Sequence, residues 1–197
     1  MDDSGLDQQI GVRIRRLRAE RAMTIEALAE RSGVSRSMIS LIERGESSPT
    51  AVVLEKLATA LNVPLYSLFA APTEEAALQR SGPLARRADQ PQWQDPASGY
   101  LRRNVSPPGV PQSVQIVEVH FPPGGRVAFE NGAQHARVQQ QVWLLSGVID
   151  ITVGEVCYRL HEGDCLAMQL DRPTMFHNPT RKTARYALTV ASESTTK

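Results

Sequence analysis

Residues 25–42, IEALAERSGVSRSMISLI, constrain the fold of this chain more than any other stretch. Ile25, Leu28 and Ala29 recur at helical spacing, as do Ile39 and Ile42, and Ser32-Gly33-Val34 interrupts the two periods. Two helices joined by so short a turn make a helix-turn-helix. Thr24 and Ser35 each stand where a side-chain oxygen caps a helix start, and Glu26 places an acid just behind the first cap. Gly33 supplies the left-handed backbone that a sharp turn needs. Small Ala29 lets the second helix cross the first closely.

The flanks extend the same pattern. Ile10, Ile14 and Leu17 predict a first helix over residues 7 to about 21. Thr50 caps a fourth, with Val53, Leu54, Leu57, Ala58 and Leu61 on its core side, and 62–64 (Asn-Val-Pro) stops it. A short fifth helix over 64–69 closes the bundle with Leu65, Leu68 and Phe69. Five helices within residues 1–70 predict a compact all-α domain. The chain's net charge is +1, so global charge does not announce a nucleic-acid partner. Arg13, Arg15, Arg16, Arg18 and Arg21 nevertheless crowd onto the first helix, a local positive surface that suits phosphate when it lies beside a helix-turn-helix.

Residues 7–69 resemble the phage-repressor and Cro type of helix-turn-helix, the lambda-repressor-like XRE family of bacterial regulators. The resemblance is carried above all by VSRSMISLIERGESSPT, with its SRS opening and IERG ending. It implies that the second helix of the pair lies in the major groove of a double-stranded DNA operator with its first side chains on base edges. Arg36 and Ser37 then reach bases, Ser35 sits near phosphate, and Ser40 and Leu41 follow along the groove. Arg36 carries specificity, since one guanidinium holds both O6 and N7 of guanine. Thr24, Arg44 and Arg13 complete the expected DNA-contacting set, the two arginines on phosphates. The chain departs from the family pattern at Thr24-Ile25, where Thr-Gln is common, and at apolar Leu41, where a long polar residue is common.

Residues 71–90 lose the apolar period and gain Pro72, Gly82 and Pro83, and predict a linker. Over residues 91–197 the texture changes to short β-branched runs with frequent turns. Strands are predicted at 114–121, 142–145, 148–153, 156–160, 166–170 and 186–191, an all-β sandwich or barrel. Pro123-Gly124-Gly125, VWLLSGVIDITVG, LHEGDCLAM and DRPTMFHNP make residues 114–191 similar to a cupin, a double-stranded jelly-roll barrel. The chain is therefore expected to combine an all-α DNA-binding domain with an all-β cupin-like domain for sensing and dimerisation.

Cupins that do chemistry hold a metal with three histidines and a glutamate. Placed on that pattern, Ala133, His135, Gln140 and Thr174 stand at the four ligand positions. One imidazole with a neutral amide and a hydroxyl makes a poor divalent-metal site, so no metal or other cofactor is expected. His120 and His161 lie outside both motifs, and His177 alternates away from Thr174 along its strand. Period-two alternation instead puts His135, Arg137, Gln140, Val142, Leu144, Thr174 and Phe176 on the inward face, a metal-free pocket for a small-molecule effector in which Arg137 pairs with a carboxylate. Trp143 faces outward and is a candidate interface residue. Cys157 and Cys165 are expected as reduced, buried thiols.

The acidic, polar start, MDDSGLDQQI, is no secretory signal, and no apolar run approaches the ~20 residues that span a membrane. The sequence thus predicts a cytoplasmic homodimeric transcriptional regulator, a repressor and not an enzyme, in which an effector bound to the barrel modulates DNA binding. Two alternatives stand beside it. One is a metal-dependent enzyme fused to a DNA-binding domain, and the other is a DNA-binding antitoxin.

Overall fold

The computed structural model describes residues 4–63, 65–69, 82–107, 114–131 and 138–192. The chain divides into two compact units, the first built mainly from Met1–Ala85 and the second mainly from Arg86–Ser106 and Pro111–Lys197. Residues 71–81 of the expected linker, and His135 and Arg137 of the expected pocket, lie outside the described residues.

Among its described residues the first unit contains four α-helices, α1 (Ser4–Glu20), α2 (Ile25–Ser32), α3 (Arg36–Glu43) and α4 (Ala51–Ala60). The expected fifth helix is a 3-10 turn instead, Leu65–Phe69. Five residues form too few i to i−4 bonds to propagate an α-helix, and burial of Leu68 and Phe69, 0% and 5% exposed, holds the turn in place. The helix ends follow local chemistry. α4 stops where Asn62 takes φ 52°, so that the Val63 N–H reaches back to the Ala58 carbonyl at 3.0 Å. α1 stops in the same way at Ala22, φ 50°, an alanine that carries no such signal in the sequence. Ile10, Ile14, Leu28, Ile39, Ile42 and Leu54 are fully buried, each contributing about 1.5–3 kcal/mol.

Ten strands are found among the described residues of the second unit: β1 (Gln92–Gln94), β2 (Leu101–Asn104), β3 (Val114–Phe121), β4 (Arg126–Phe129), β5 (Val138–Ser146), β6 (Val148–Val153), β7 (Val156–His161), β8 (Cys165–Gln169), β9 (Thr174–His177) and β10 (Ala184–Ser192). They make two antiparallel sheets, one ordered β1-β2-β3-β10-β5-β8 and the other β4-β9-β6-β7. The chain passes from one sheet to the other at almost every turn from β3 to β10, and only β6 and β7 follow each other within a sheet. An aromatic row ties the sheets together. Tyr100 stacks on Phe121 with centroids 5.6 Å apart, and Tyr186 of one sheet stacks on Phe176 of the other at 6.0 Å. Opposite the core, Glu118 is buried between Arg103 and Arg185, to both of which it is ion-paired.

Trp143 faces outward at 53% exposure, as alternation along β5 predicts. The two cysteines do not follow the expectation of burial. Both are exposed, Cys157 in the outward register of the edge strand β7 and Cys165 opposite Trp143 on β8. Edge strands leave such side chains no second layer to pack against.

Candidate nucleic-acid interface

The two capped helices foreseen in the sequence form as the side chains dictate. The Thr24 hydroxyl accepts the Ala27 N–H at 3.1 Å to open α2, and the Ser35 hydroxyl accepts the Met38 N–H at 3.2 Å to open α3. Between them Gly33 takes φ 67° and donates its N–H to the Ala29 carbonyl at 2.9 Å. Ser32 closes the turn from inside, its hydroxyl donating to the Leu28 carbonyl at 2.7 Å and accepting from Val34 N–H at 3.2 Å.

α3 buries one face and exposes the other. Ile39 and Ile42 are 0% exposed, while Arg36, Ser37, Met38 and Arg44 are open and Ser40 and Leu41 are half-buried. Two contacts with α1 fix the helix. Arg18 holds both carboxylate oxygens of Glu43, and Gly11 lies so close to the end of α3 that a Cβ there would stand 2.1 Å from the Ile42 carbonyl oxygen. Seven side chains out of the expected contact set of eight belong to one contiguous part of the chain, from Thr24 to Arg44.

The arginines of that set differ in what occupies them. Arg36 is ion-paired to Glu26 across the two helix starts. Arg44 holds the Glu46 carboxylate with two bonds of 2.9 Å and also donates to Ser40 Oγ, and this contact with Arg44 keeps the Glu46 carboxyl below the usual range. Arg13 is half-buried and donates through Nε to the Ser67 carbonyl at 3.3 Å, and that burial lowers its pKa. It is thus joined to the 3-10 turn. Sequence reasoning gave no DNA-facing role to Met38, 36% exposed on the same face, or to Glu26. Helical spacing back from Leu41, three residues on, would have found Met38, and the ion pair across the turn is invisible to spacing alone.

In the second unit, Gln140, Val142 and Leu144 do share the inward face of β5, and Thr174 and Phe176 that of β9. Leu144 meets Phe176 through Tyr186, its cross-strand partner. Val142 and Leu144 are fully buried, and Thr174 accepts a hydrogen bond from the Asn131 amide at 2.9 Å. The donor set does not suit a divalent metal: Gln140 offers a neutral amide, Thr174 is engaged with Asn131, and no group of three His, Cys, Asp or Glu side chains gathers among the described residues. Arg102 was not foreseen. It lies buried in the same cross-strand row as Trp93, Val119, Tyr186 and Leu144, and burial lowers its pKa while raising that of Tyr186. A shallow cleft opens between β7 and β8, the edge strands of the two sheets, beside Tyr158, Met168 and Arg172.

The helix-turn-helix family model HTH_3 matches residues 14–68. The HTH-type transcriptional regulator y4dJ of Sinorhizobium fredii is 41% identical over 66 residues, which are 34% of this chain and 84% of that protein. This chain belongs to the HTH-type transcriptional regulators. The regulator is also 48% identical over 63 residues to SutR of Escherichia coli, a match that covers 32% of this chain and spans only 35% of SutR's length. A solved HTH_3 family transcriptional regulator from Vibrio cholerae is similar over 98% of this chain and 100% of that one, at 24% identity and a TM-score of 0.75, a likeness of fold. Solved cupin domains are similar to the regulator at TM-scores of 0.39 and 0.46. No helix among the described residues is long and apolar enough to cross a membrane.

Proposed function

We propose that the regulator is a homodimeric, cytoplasmic repressor that reads its operator through α3 and responds to a small molecule held by its second unit. The observation that carries the DNA-reading part is the exposed start of α3, with Arg36 and Ser37 open to solvent above a fully buried Ile39 and Ile42. A helix anchored on one face by its core and by Arg18 and Glu43 presents the other face at a fixed angle, as base recognition requires. Arg36 takes a guanine edge, Ser37 and Ser40 bond neighbouring bases, and Leu41 packs on a thymine methyl. Ser35 and Thr24 lie at phosphates, where helix starts offer N–H groups. Arg44 and Arg13 add weaker phosphate contacts, since each already has a protein partner.

Within this reading, residues 1–70 are the DNA-binding domain, 71–90 a linker and 91–197 a cupin. The alternation of strands between two antiparallel sheets supports a double-stranded jelly roll. One such small helical domain contacts one half-site, so two held ~34 Å apart are needed for useful affinity. An effector bound among His135, Arg137, Gln140, Val142, Leu144, Thr174 and Phe176 that prefers one subunit arrangement changes DNA affinity by about 1–3 kcal/mol. The barrel carries out no catalysis in this reading.

A second reading has a specific observation in its favour. The stacked Tyr186 and Phe176, with fully buried Val142 and Leu144, fill the inward face from both sheets, which suits a barrel that only dimerises. A thermal-shift screen of the full chain against amino acids, polyamines, organic acids and divalent metals separates the two, because a ligand that binds only the folded state raises Tm progressively, with the logarithm of its concentration once that exceeds Kd. A shift from one metabolite class supports the effector reading, and a shift from metals alone reinstates the enzyme. No shift leaves dimerisation as the barrel's role.

A further inference from the structure

The ion pair between Glu26 and Arg36 joins two side chains that are 54% and 67% exposed, so packing does not force them together. Glu26 stands in the first turn of α2 and Arg36 opens α3, so the pair spans the gap between the two helix starts on the surface that faces DNA in the proposed complex. An acid there is costly to binding, because it repels phosphate. The Glu26 carboxylate is itself held in place. Hydrogen bonds from its own backbone N–H and from the Thr24 hydroxyl, with Arg36 nearby, keep its carboxyl below the usual range.

We propose that Glu26 is a specificity-determining residue that positions the guanidinium of Arg36 on its base. This inference rests on the reading of Arg36 as a base contact. Arginine carries five donors on a planar fork, so pairing through one terminal nitrogen fixes the plane of the group and leaves other edges for guanine O6 and N7. The same carboxylate discourages the commonest error of an exposed arginine, which is to swing onto the nearest phosphate. With its charge already matched, Arg36 gains little there. It still gains at a guanine edge, where two bonds form in one plane. The pair therefore lowers affinity for DNA in general while sharpening the choice of sequence.

The test uses the full-length chain and a pool of random-sequence duplexes. Selection and sequencing give the base preferences of the wild type, Glu26→Gln, Arg36→Ala and the double variant. Binding to a fixed unrelated duplex gives non-specific affinity, and Tm is measured for each. Glu26→Gln is expected to lower discrimination roughly two- to fivefold, the worth of one exposed ion pair, at the base position where Arg36→Ala abolishes it. It is expected to bind the unrelated duplex more tightly and to leave Tm unchanged. In the Arg36→Ala background it should alter discrimination no further. If Arg36→Ala erases a base preference that Glu26→Gln leaves intact, the positioning role of Glu26 is overturned. If Arg36→Ala itself changes no preference, the reading of Arg36 falls instead. A lowered Tm with equal loss on all sequences makes Glu26 structural and overturns the proposal.

Discussion

The guanidinium of Arg18 grips both carboxylate oxygens of Glu43, Nε to Oε1 at 2.7 Å and NH2 to Oε2 at 2.8 Å. One residue lies in the last turn of α1 and the other ends α3, so the pair sets how α3 is presented. The third donor of Arg18, NH1, reaches the Met23 carbonyl at 2.9 Å and ties in the start of α2. Glu43 is 5% exposed in its side chain and Arg18 16%, so water cannot replace the partner. Glu43→Ala leaves a largely desolvated guanidinium and is expected to destabilise the first unit by about 1–3 kcal/mol, somewhat below the cost for a fully buried pair. Chemical denaturation followed by far-ultraviolet circular dichroism reads this loss.

Gly11 is required by the approach of α1 to α3. The Cβ of alanine at that position would stand 2.1 Å from the Ile42 carbonyl oxygen, a backbone atom that cannot swing away. Gly11→Ala should therefore cost ~2 kcal/mol or more through forced separation of the helices, even though alanine favours helix elsewhere. Gly82→Ala, whose Cβ meets nothing within 4 Å, is the control and should leave Tm unchanged.

Arg36→Ala should lower specific operator binding by roughly 1–3 kcal/mol without changing the melting curve. Arg44→Ala should weaken all sequences alike and reduce the salt dependence of binding, as loss of a phosphate contact does. Competition binding at two salt concentrations distinguishes the two kinds of loss.

Asp150 accepts two bonds from Arg159, and that contact keeps its carboxyl below the ordinary range. A depressed folded value means the unfolded chain takes up the proton first. The stabilisation is full above the unfolded pKa of ~3.9 and fades as pH falls through the folded value. With Arg159 59% exposed, solvent screening keeps the pair's contribution small. Asp150→Asn should thus lower stability slightly at pH 7, and the gap between variant and wild type should close in acid. Urea titrations at pH 7, 4 and 3 would measure it.

Legibility in the sequence followed the reach of the forces concerned. Caps act over three residues, and Thr24, Ser35 and Thr50 each cap the helix expected of them. Strands with β-branched alternation were equally plain, and β3 and β6 have the predicted bounds. β1, QWQ, is too short for its alternation to stand out, and β2, LRRN, carries none, because Arg102 and Arg103 are both buried, Arg103 through its ion pair with Glu118 of β3. β5 begins earlier than expected at Val138, since its polar Gln139, Gln140 and Gln141 are held by ladders to β10 and β8. The residues proposed to face DNA could each be named from the helix-turn-helix pattern. The links between its residues, Arg18 to Glu43, Glu26 to Arg36 and Gly11 to Ile42, form across 10 residues or more in tertiary space and leave no local trace.

Both tryptophans of the chain fall in the second unit, Trp93 at 3% exposure and Trp143 at 53%. Excited near 295 nm, the protein thus emits from its β sheets alone, one source blue-shifted by a dry surround and the other red-shifted by water. The helical unit is dark. Any change in that emission when a duplex is added has travelled from one unit to the other, which makes the native chain, unlabelled, a gauge of the communication that a sensor needs.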